Sequence, residues 1–230
     1  MVNISKEQDL SNFNNIEKRF EQILSKVGGV IGITGGSCSG KTYISKAIIN
    51  LLTEKRCDIL SMDSYYKDLS SLDPKDRASN NFDHPYAIDY NLFYDHFKKL
   101  LTGETVYPPS YDFKTHTRSK DISSPISSSG KILIVEGLFL FHWQSIRNLF
   151  STKVFVELSR KRRLSRRINR DTIERGRTVA EIREQFNSSV DPMHELYVMP
   201  AKEYADIVIS GDETIDDLSR LILFPAKTYI

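Results

Sequence analysis

The sequence predicts an α/β fold, a mostly parallel sheet with helices on both faces. Three observations predict it. Short apolar runs recur at residues 30–34, 58–62, 131–135, 153–158 and 206–210. Helical patterns, with apolar residues three and four apart, lie between them. Three runs lead directly into residues able to do chemistry: a glycine-rich loop, Asp63 and Glu136. Ligands in open α/β sheets bind beyond the carboxyl ends of strands, where these residues would stand.

Each element has its own warrant. Over residues 5–27, Phe13, Ile16, Phe20, Ile23, Leu24 and Val27 share one helical face and Gly28 can end the helix. Residues 1–28 therefore read as a helical extension and 29–230 as a single domain. The first strand feeds the glycine-rich loop, and Ile44, Ala47, Ile48, Leu51 and Leu52 then share a helix face. The second strand ends at Asp63. Residues 64–88, rich in Tyr, Asp, Asn and Pro, read as a functional loop. Asp89 caps a helix burying Leu92, Phe93, Phe97 and Leu100 and stopping near Gly103. Residues 104–130 carry three prolines and many serines, so loop or short hairpin is expected, with a surface loop at 123–129. The run 131–135 is the strongest strand, followed by Glu136. A basic helix spans about 160–170. Thr178-Val179-Ala180-Glu181 is a capping box, Asp191-Pro192 opens a further helix, and a last helix lies near 214–224.

Composition excludes several classes. The chain has 230 residues, 40% of them hydrophobic, and a formal net charge of +2. Near neutrality argues for no polyanionic partner, so no nucleic-acid partner is expected. Cys38 and Cys57 lack metal-ligand spacing and imply no disulfide framework. The polar N-terminus has no signal-peptide core, and residues 132–141, interrupted by Glu136, are too short to span a bilayer. A cytoplasmic protein without a membrane partner is the expectation.

The chemistry starts at Gly35-Gly36-Ser37-Cys38-Ser39-Gly40-Lys41-Thr42, which fits the phosphate-binding pattern G-x-x-x-x-G-K-[ST] between a strand and a helix. Backbone N–H groups of such a loop turn inward onto phosphate oxygens, helped by the helix N-terminus. Lys41 would reach the β/γ-phosphates and Thr42 would hold Mg²⁺. A P-loop NTPase-type fold follows. Asp63 could orient or deprotonate an attacking hydroxyl or hold a Mg²⁺ water, or serve only as a turn aspartate. Glu136 ends its strand as a Walker B acid does, with a structural glutamate as the alternative. Residues 160–170 and Arg175-Gly176-Arg177 are densely basic. They could bind nucleic acid or form an arginine-rich lid over a triphosphate; the near-neutral net charge and adjacent phosphate loop favour the lid. About half of these basic residues are expected to be only a solvated face. Tyr65, Tyr66, Phe82, Tyr111 and Phe113 in polar loops could stack on a planar base or pack against the sheet, and His116 is a lone loop histidine.

Taken together, these residues resemble the uridine kinases (uridine–cytidine kinases) of the P-loop kinase class. The resemblance rests on the phosphate loop; Asp63-Ser64-Tyr65-Tyr66; Asn81-Phe82-Asp83-His84-Pro85; Tyr111-Asp112-Phe113 with His116 and Arg118; Val135-Glu136-Gly137; Arg167 to Asp171; Glu174-Arg175-Gly176-Arg177; Pro192-Met193-His194-Glu195; and Tyr204-Ala205-Asp206. It runs in order from about residue 30 to 210 and leaves the N-terminal extension outside. It implies ATP (or GTP) as phosphate donor and phosphorylation of the 5′-hydroxyl of uridine or cytidine. Asp63 would be the base or positioning carboxylate for that hydroxyl. Thr42, Asp63 and Glu136 would surround Mg²⁺. Asp83 and Arg167 would hold the ribose, Tyr111 and His116 would read the pyrimidine edge, and Tyr66, Phe82 and Phe113 would enclose it. Arg170 and Arg175 would close on the ATP phosphates, with Arg177 and Gln185 beside the nucleoside. A homo-oligomer, commonly a tetramer, is also implied. A related kinase for another small acceptor, such as nicotinamide riboside, and a non-catalytic nucleotide-binding protein are the competing readings. The sequence departs from the family pattern at Cys38 in the loop, at Tyr86, at the basic segment 157–161 and at the short segment Ser210-Gly211-Asp212.

Overall fold

The computed structural model describes residues 29–52, 57–119, 123–128 and 132–212. The expected helices at 5–27 and near 214–224, and the extension at 1–28, lie outside the described residues.

In chain order the elements are β1 (Val30–Gly35), α1 (Lys41–Leu52), β2 (Cys57–Ser61), α2 (Pro74–Ala78), α3 (Tyr90–Leu101), β3 (Thr105–Val106), β4 (Tyr111–Asp112), β5 (Thr117–Arg118), β6 (Ile126–Ser127), β7 (Ile132–Glu136), α4 (Gln144–Arg147), β8 (Thr152–Glu157), α5 (Arg160–Arg175), α6 (Val179–Gln185) and β9 (Ile207–Ser210). Five strands make one sheet in the order β2-β7-β1-β8-β9. Every pairing in it is parallel. Parallel strands covered on both faces read as continuous apolar runs, which is why these five were legible in the sequence. Successive side chains alternate between two cores. Ile31, Ile33, Ile134, Val154 and Val156 face α1 through Ile44, Ala47 and Ile48. Leu60, Leu133, Val135 and Phe155 face the other way, into an aromatic core with Phe93 and Phe97 of α3, Phe139, Phe141 and Phe150.

Several boundaries differ from expectation. β2 stops at Ser61, and Asp63 sits in a 3₁₀ turn, Met62–Tyr65. The segment 64–88 is not only loop, because it holds α2, a 3₁₀ turn at Pro85–Ala87 and the buried Tyr65, Tyr66 and Ile88. The serine-rich stretch near 123–129 contains β6, whose Ile126 pairs with Val106 and packs on the core. α5 runs to Arg175, past the expected end near residue 170. Asp191-Pro192 opens a short α-helical turn, Asp191–Met193, as expected, but it is not set apart from its neighbours. The chain stays helical from α6 through π turns at Phe186–Val190 and His194–Val198 to a 3₁₀ turn at Met199–Tyr204. Pro192 has no N–H to donate, and the widened turn before it lets the chain continue past it.

The caps follow the sequence. Asp89 accepts from the Leu92 N–H, and the Thr178–Glu181 capping box is made in both directions. Among the described residues, no helix is long and apolar enough to cross a membrane.

Candidate active site

Strand register brings the first chemical groups together. β7 lies between β2 and β1, and Glu136 stands in one row with Ser61 on one side and Ile33 on the other. The phosphate loop leaves β1 two residues beyond Ile33, and Asp63 follows Ser61 by two. Lys41, Thr42, Asp63 and Glu136 therefore meet at one end of the sheet, on a cleft of about 890 Å³.

One wall of the cleft is built from the loop. Lys41 Nζ donates to the Gly35 and Gly36 carbonyls at 3.1 and 3.0 Å, which holds the ammonium across the loop. Ser37, Cys38, Gly40, Lys41 and Thr42 line the cleft. Gly35, Gly36 and Ser39 form its support. Cys38 has φ of 60°, an uncommon conformation for a residue with a Cβ, and so does His116 with φ of 56°. Both line the cleft, as strained backbone at ligand sites tends to.

Glu136 is buried. Its Oε1 accepts from Ser61 Oγ at 2.6 Å, and Oε2 from Thr42 Oγ1 at 3.4 Å. Burial, then the charge of Asp63, holds its carboxyl above the usual range, while Lys41 pulls it back. Asp63 Oδ1 is buried with no hydrogen-bond partner among the described residues. Two crowded carboxylates beside a threonine hydroxyl form an all-oxygen set suited to a hard divalent cation.

The opposite wall of the cleft is aromatic. Tyr66 contacts Tyr111, Phe113 and Phe82 at centroid separations of 5.3, 6.0 and 6.0 Å. Phe82 stacks on His116 at 4.3 Å and 16°. The Tyr111 hydroxyl and His116 Nδ1 are, like Asp63 Oδ1, buried without a partner among the described residues. Burial pushes the Tyr111 hydroxyl up to about 12, and it lowers His116, with Arg175 and Arg177 adding to that effect. His116 is thus held neutral and able to donate or accept. Asp83 is buried in the same wall, its carboxyl raised by burial against the opposing charge of Arg167. Tyr65, grouped with these aromatics in the sequence, is a core residue. It packs edge-on against Phe93, and its hydroxyl meets His96 Nδ1 at 3.0 Å.

The third wall comes from α5 and the turn after it. Arg167, Arg170, Arg175, Arg177 and Gln185 all line the cleft. Gln185 Oε1 accepts from Arg167 at 3.1 Å and from Arg177 at 2.6 Å. Arg175 lies 4.9 Å over the Phe113 ring, tying this wall to the aromatic pocket. Arg160, Lys161 and Arg162 are exposed, in keeping with a partly solvated basic run. Arg163 is neither lid nor surface. It is buried, donates to Asp191 at 2.9 Å and, with His194, packs against Gly36 closely enough that no side chain fits there.

Sequence reasoning missed four contributors. Arg166 donates to the carbonyls of Ser39 and Gly211 at 3.3 and 3.0 Å, closing the far end of the loop. Ser61 orients Glu136, and its signal was strand alternation two residues before Asp63. Asp171 sits among the arginines, four residues beyond Arg167. His194 supports the loop from beneath.

A model of the Phosphoribulokinase / Uridine kinase family matches residues 30–216. The chain belongs to that family. The uridine kinase of Clostridium novyi is 42% identical over 180 residues, covering 78% of this chain and 86% of that protein. Among solved structures, a protein from Bacillus stearothermophilus described as a possible uridine kinase superposes with a TM-score of 0.58 at 18% identity, covering 85% of this chain and 99% of that one. The phosphoribulokinase of Rhodobacter spheroides gives 0.57 at 16% identity, covering 79% and 69%. These structural likenesses carry the P-loop kinase fold, and the closer sequence likeness carries the family.

The burial of His194 beneath the loop has a testable consequence. Burial, then Arg163, lowers His194 from the ordinary 6.5 to about 4. Between these values the unfolded chain binds the proton and the folded chain does not. Stability is therefore complete above pH 6.5 and falls as pH drops toward 4, by about 3 kcal/mol in all. Thermal melts at pH 7 and pH 5 are expected to show about 2 kcal/mol of this loss, the part that falls between pH 6.5 and 5, and His194→Gln to flatten the slope over that interval. An unchanged slope in the variant would mean that other groups carry it.

Proposed function

We propose that this chain transfers the γ-phosphoryl group of ATP to the 5′-hydroxyl of uridine or cytidine. One observation carries the reading. Of the eight buried side-chain polar atoms without a hydrogen-bond partner among the described residues, Asp63 Oδ1, the Tyr111 hydroxyl and His116 Nδ1 belong to residues that line one cleft with the phosphate loop. Buried groups of this kind need partners, and a nucleoside offers a hydroxyl to the first and a polar base edge to the other two. The Clostridium novyi relative, a uridine kinase, supports the same substrate.

In this reading the loop amides and Lys41 hold the donor phosphates. Thr42, Asp63 and Glu136 fit Mg²⁺, which when bound would offset charge on the phosphates. Asp83 and Arg167 hold the ribose hydroxyls, and Tyr66, Phe82 and Phe113 enclose the base. Asp63 accepts the proton of the 5′-hydroxyl as that hydroxyl oxygen bonds to the γ-phosphorus, the bond from phosphorus to the bridging oxygen breaks and ADP leaves. Arg170 and Arg175 face the negative charge of the transferring group. Arg177 and Gln185 close the wall beside the nucleoside. GTP as alternative donor, a tetrameric assembly, a cytoplasmic location and the single domain 29–230 belong to the same proposal.

A coupled ADP-release assay tests it with a panel of uridine, cytidine, adenosine, nicotinamide riboside, pantothenate and ribulose 5-phosphate. Uridine or cytidine is expected to give the highest kcat/KM, with UMP or CMP as product. Preference for another acceptor, or ATP binding without turnover of any, would overturn the reading.

A further inference from the structure

α5 turns a charged stripe inward. Arg163, Arg167, Asp171 and Arg175 follow one another at four-residue intervals and so share a helix face. Asp171 lies at the centre, 0% exposed. Its Oδ1 accepts from Arg170 Nε at 2.8 Å and stands 3.5 Å from Arg175 Nε. Its Oδ2 stands 3.4 Å from Arg167 Nε and 3.8 Å from Arg177 Nη1, charge contacts without a hydrogen bond, so Arg170 alone is hydrogen-bonded to the carboxylate and the other three are held by its charge. The residue is also held through its backbone, where its carbonyl accepts from the N–H groups of Gly176 and Arg177 as the helix ends. All four guanidinium groups line the cleft.

Four like charges brought this close repel one another, and a guanidinium held at no edge can swing away from its ligand. A buried carboxylate offsets part of the repulsion and fixes orientation. For Arg167, Arg170 and Arg175 the edge facing Asp171 is Nε, which leaves the paired Nη groups for other partners. Arg167 uses its Nη1 on Ser37 of the phosphate loop at 2.9 Å and its Nη2 on Gln185. Burial alone would raise the Asp171 carboxyl, but the hydrogen bond from Arg170 and the surrounding charges hold it below the usual value. It is ionised when the arginines are in place.

We propose that Asp171 is a positioning residue for phosphoryl transfer, anchoring Arg167, Arg170, Arg175 and Arg177 as one preformed array between the phosphate loop and the acceptor pocket. The proposal rests on the kinase reading of the cleft. Asp171 need touch neither substrate; it acts through the guanidiniums.

The test is Asp171→Asn, which keeps the shape of the side chain and removes its charge. Loss of transition-state alignment is expected to lower kcat per folded molecule by about 30-fold or more, with uridine KM changed by less than about fivefold. ATP affinity, measured by calorimetry, is expected to weaken by about tenfold. A kcat within threefold of the parent after correction for folded fraction would overturn the proposal. Arg170→Lys supplies an independent arm, because it keeps the charge and discards the Nε that Asp171 holds. It is expected to cost about tenfold in kcat, and parental turnover would also overturn the proposal, even if the Asn variant did not fold. A parent without nucleoside turnover would instead sink the kinase reading. The array would still be judged by calorimetry, where unchanged ATP affinity in both variants would reject it.

Discussion

Asp63→Asn is expected to lower kcat by about 10³-fold while the protein stays folded. The amide keeps the size of the side chain and can still accept a hydrogen bond, but it cannot take a proton at neutral pH. Asp63 Oδ1 is buried and without a partner among the described residues, so the fold does not depend on a hydrogen bond there. Its charge also works against Glu136, whose carboxyl it raises. Removing that charge relieves a repulsion between two crowded carboxylates. The melting temperature is therefore expected to hold or rise slightly as turnover collapses. Steady-state kinetics beside a thermal melt checks both halves. A variant retaining a tenth of parental turnover would remove Asp63 from the role of base.

Gly35→Ala is expected to do the opposite, acting first on stability. Gly35 has φ of 151° and pairs with Val156 in the centre of the sheet. A Cβ there would lie 2.4 Å from the Val156 carbonyl oxygen and 2.9 Å from Ser39 Oγ. The nearest atom belongs to backbone in a neighbouring strand and cannot swing aside. Either β1 and β8 separate or the loop shifts as a body. Overpacking together with the unfavourable backbone angle costs about 3 kcal/mol. For a domain of this size that corresponds to roughly 10 °C in melting temperature. ATP binding should fall with it, because the Gly35 carbonyl is one of two acceptors that hold Lys41 across the loop. A melting temperature within 2 °C of the parent would mean that the strands yield far more easily than their pairing implies.

The two predictions draw on different kinds of legibility. Lys41, Thr42, Asp63 and Glu136 could be found in the sequence because each is tied to a local pattern, a loop of set spacing or the end of an apolar strand. Local patterns of that kind dictate backbone geometry over a few residues, and a parallel sheet then delivers the strand ends to one edge. Residues whose role is set by what packs on them were not legible in that way. Tyr65 and Tyr66 are neighbours of one type in a polar stretch, yet one lies in the core against Phe93 and the other lines the cleft. The helical passage through Pro192 was equally hidden, because proline argues for a start or a break unless widened turns carry the chain past it.

The basic run on α5 marks the boundary most clearly. By itself, the sequence determined that there is a phosphate-binding P-loop between a strand and a helix, an acid at the end of each of two other apolar strands, and a helix too basic to be an ordinary apolar-faced one. Only the tertiary structure decided which charges are surface, which face the cleft and which are buried beneath it. Arg162 is exposed, Arg163 is sealed under the phosphate loop and Asp171 is enclosed by four guanidiniums. The physical reason is that a charged side chain shows its preference for water in composition and spacing, whereas its burial depends on counter-charges. For Arg163 that counter-charge, Asp191, arrives from a distant part of the chain. For Asp171 the partners lie nearby in sequence, and only packing against the loop closes them off from solvent.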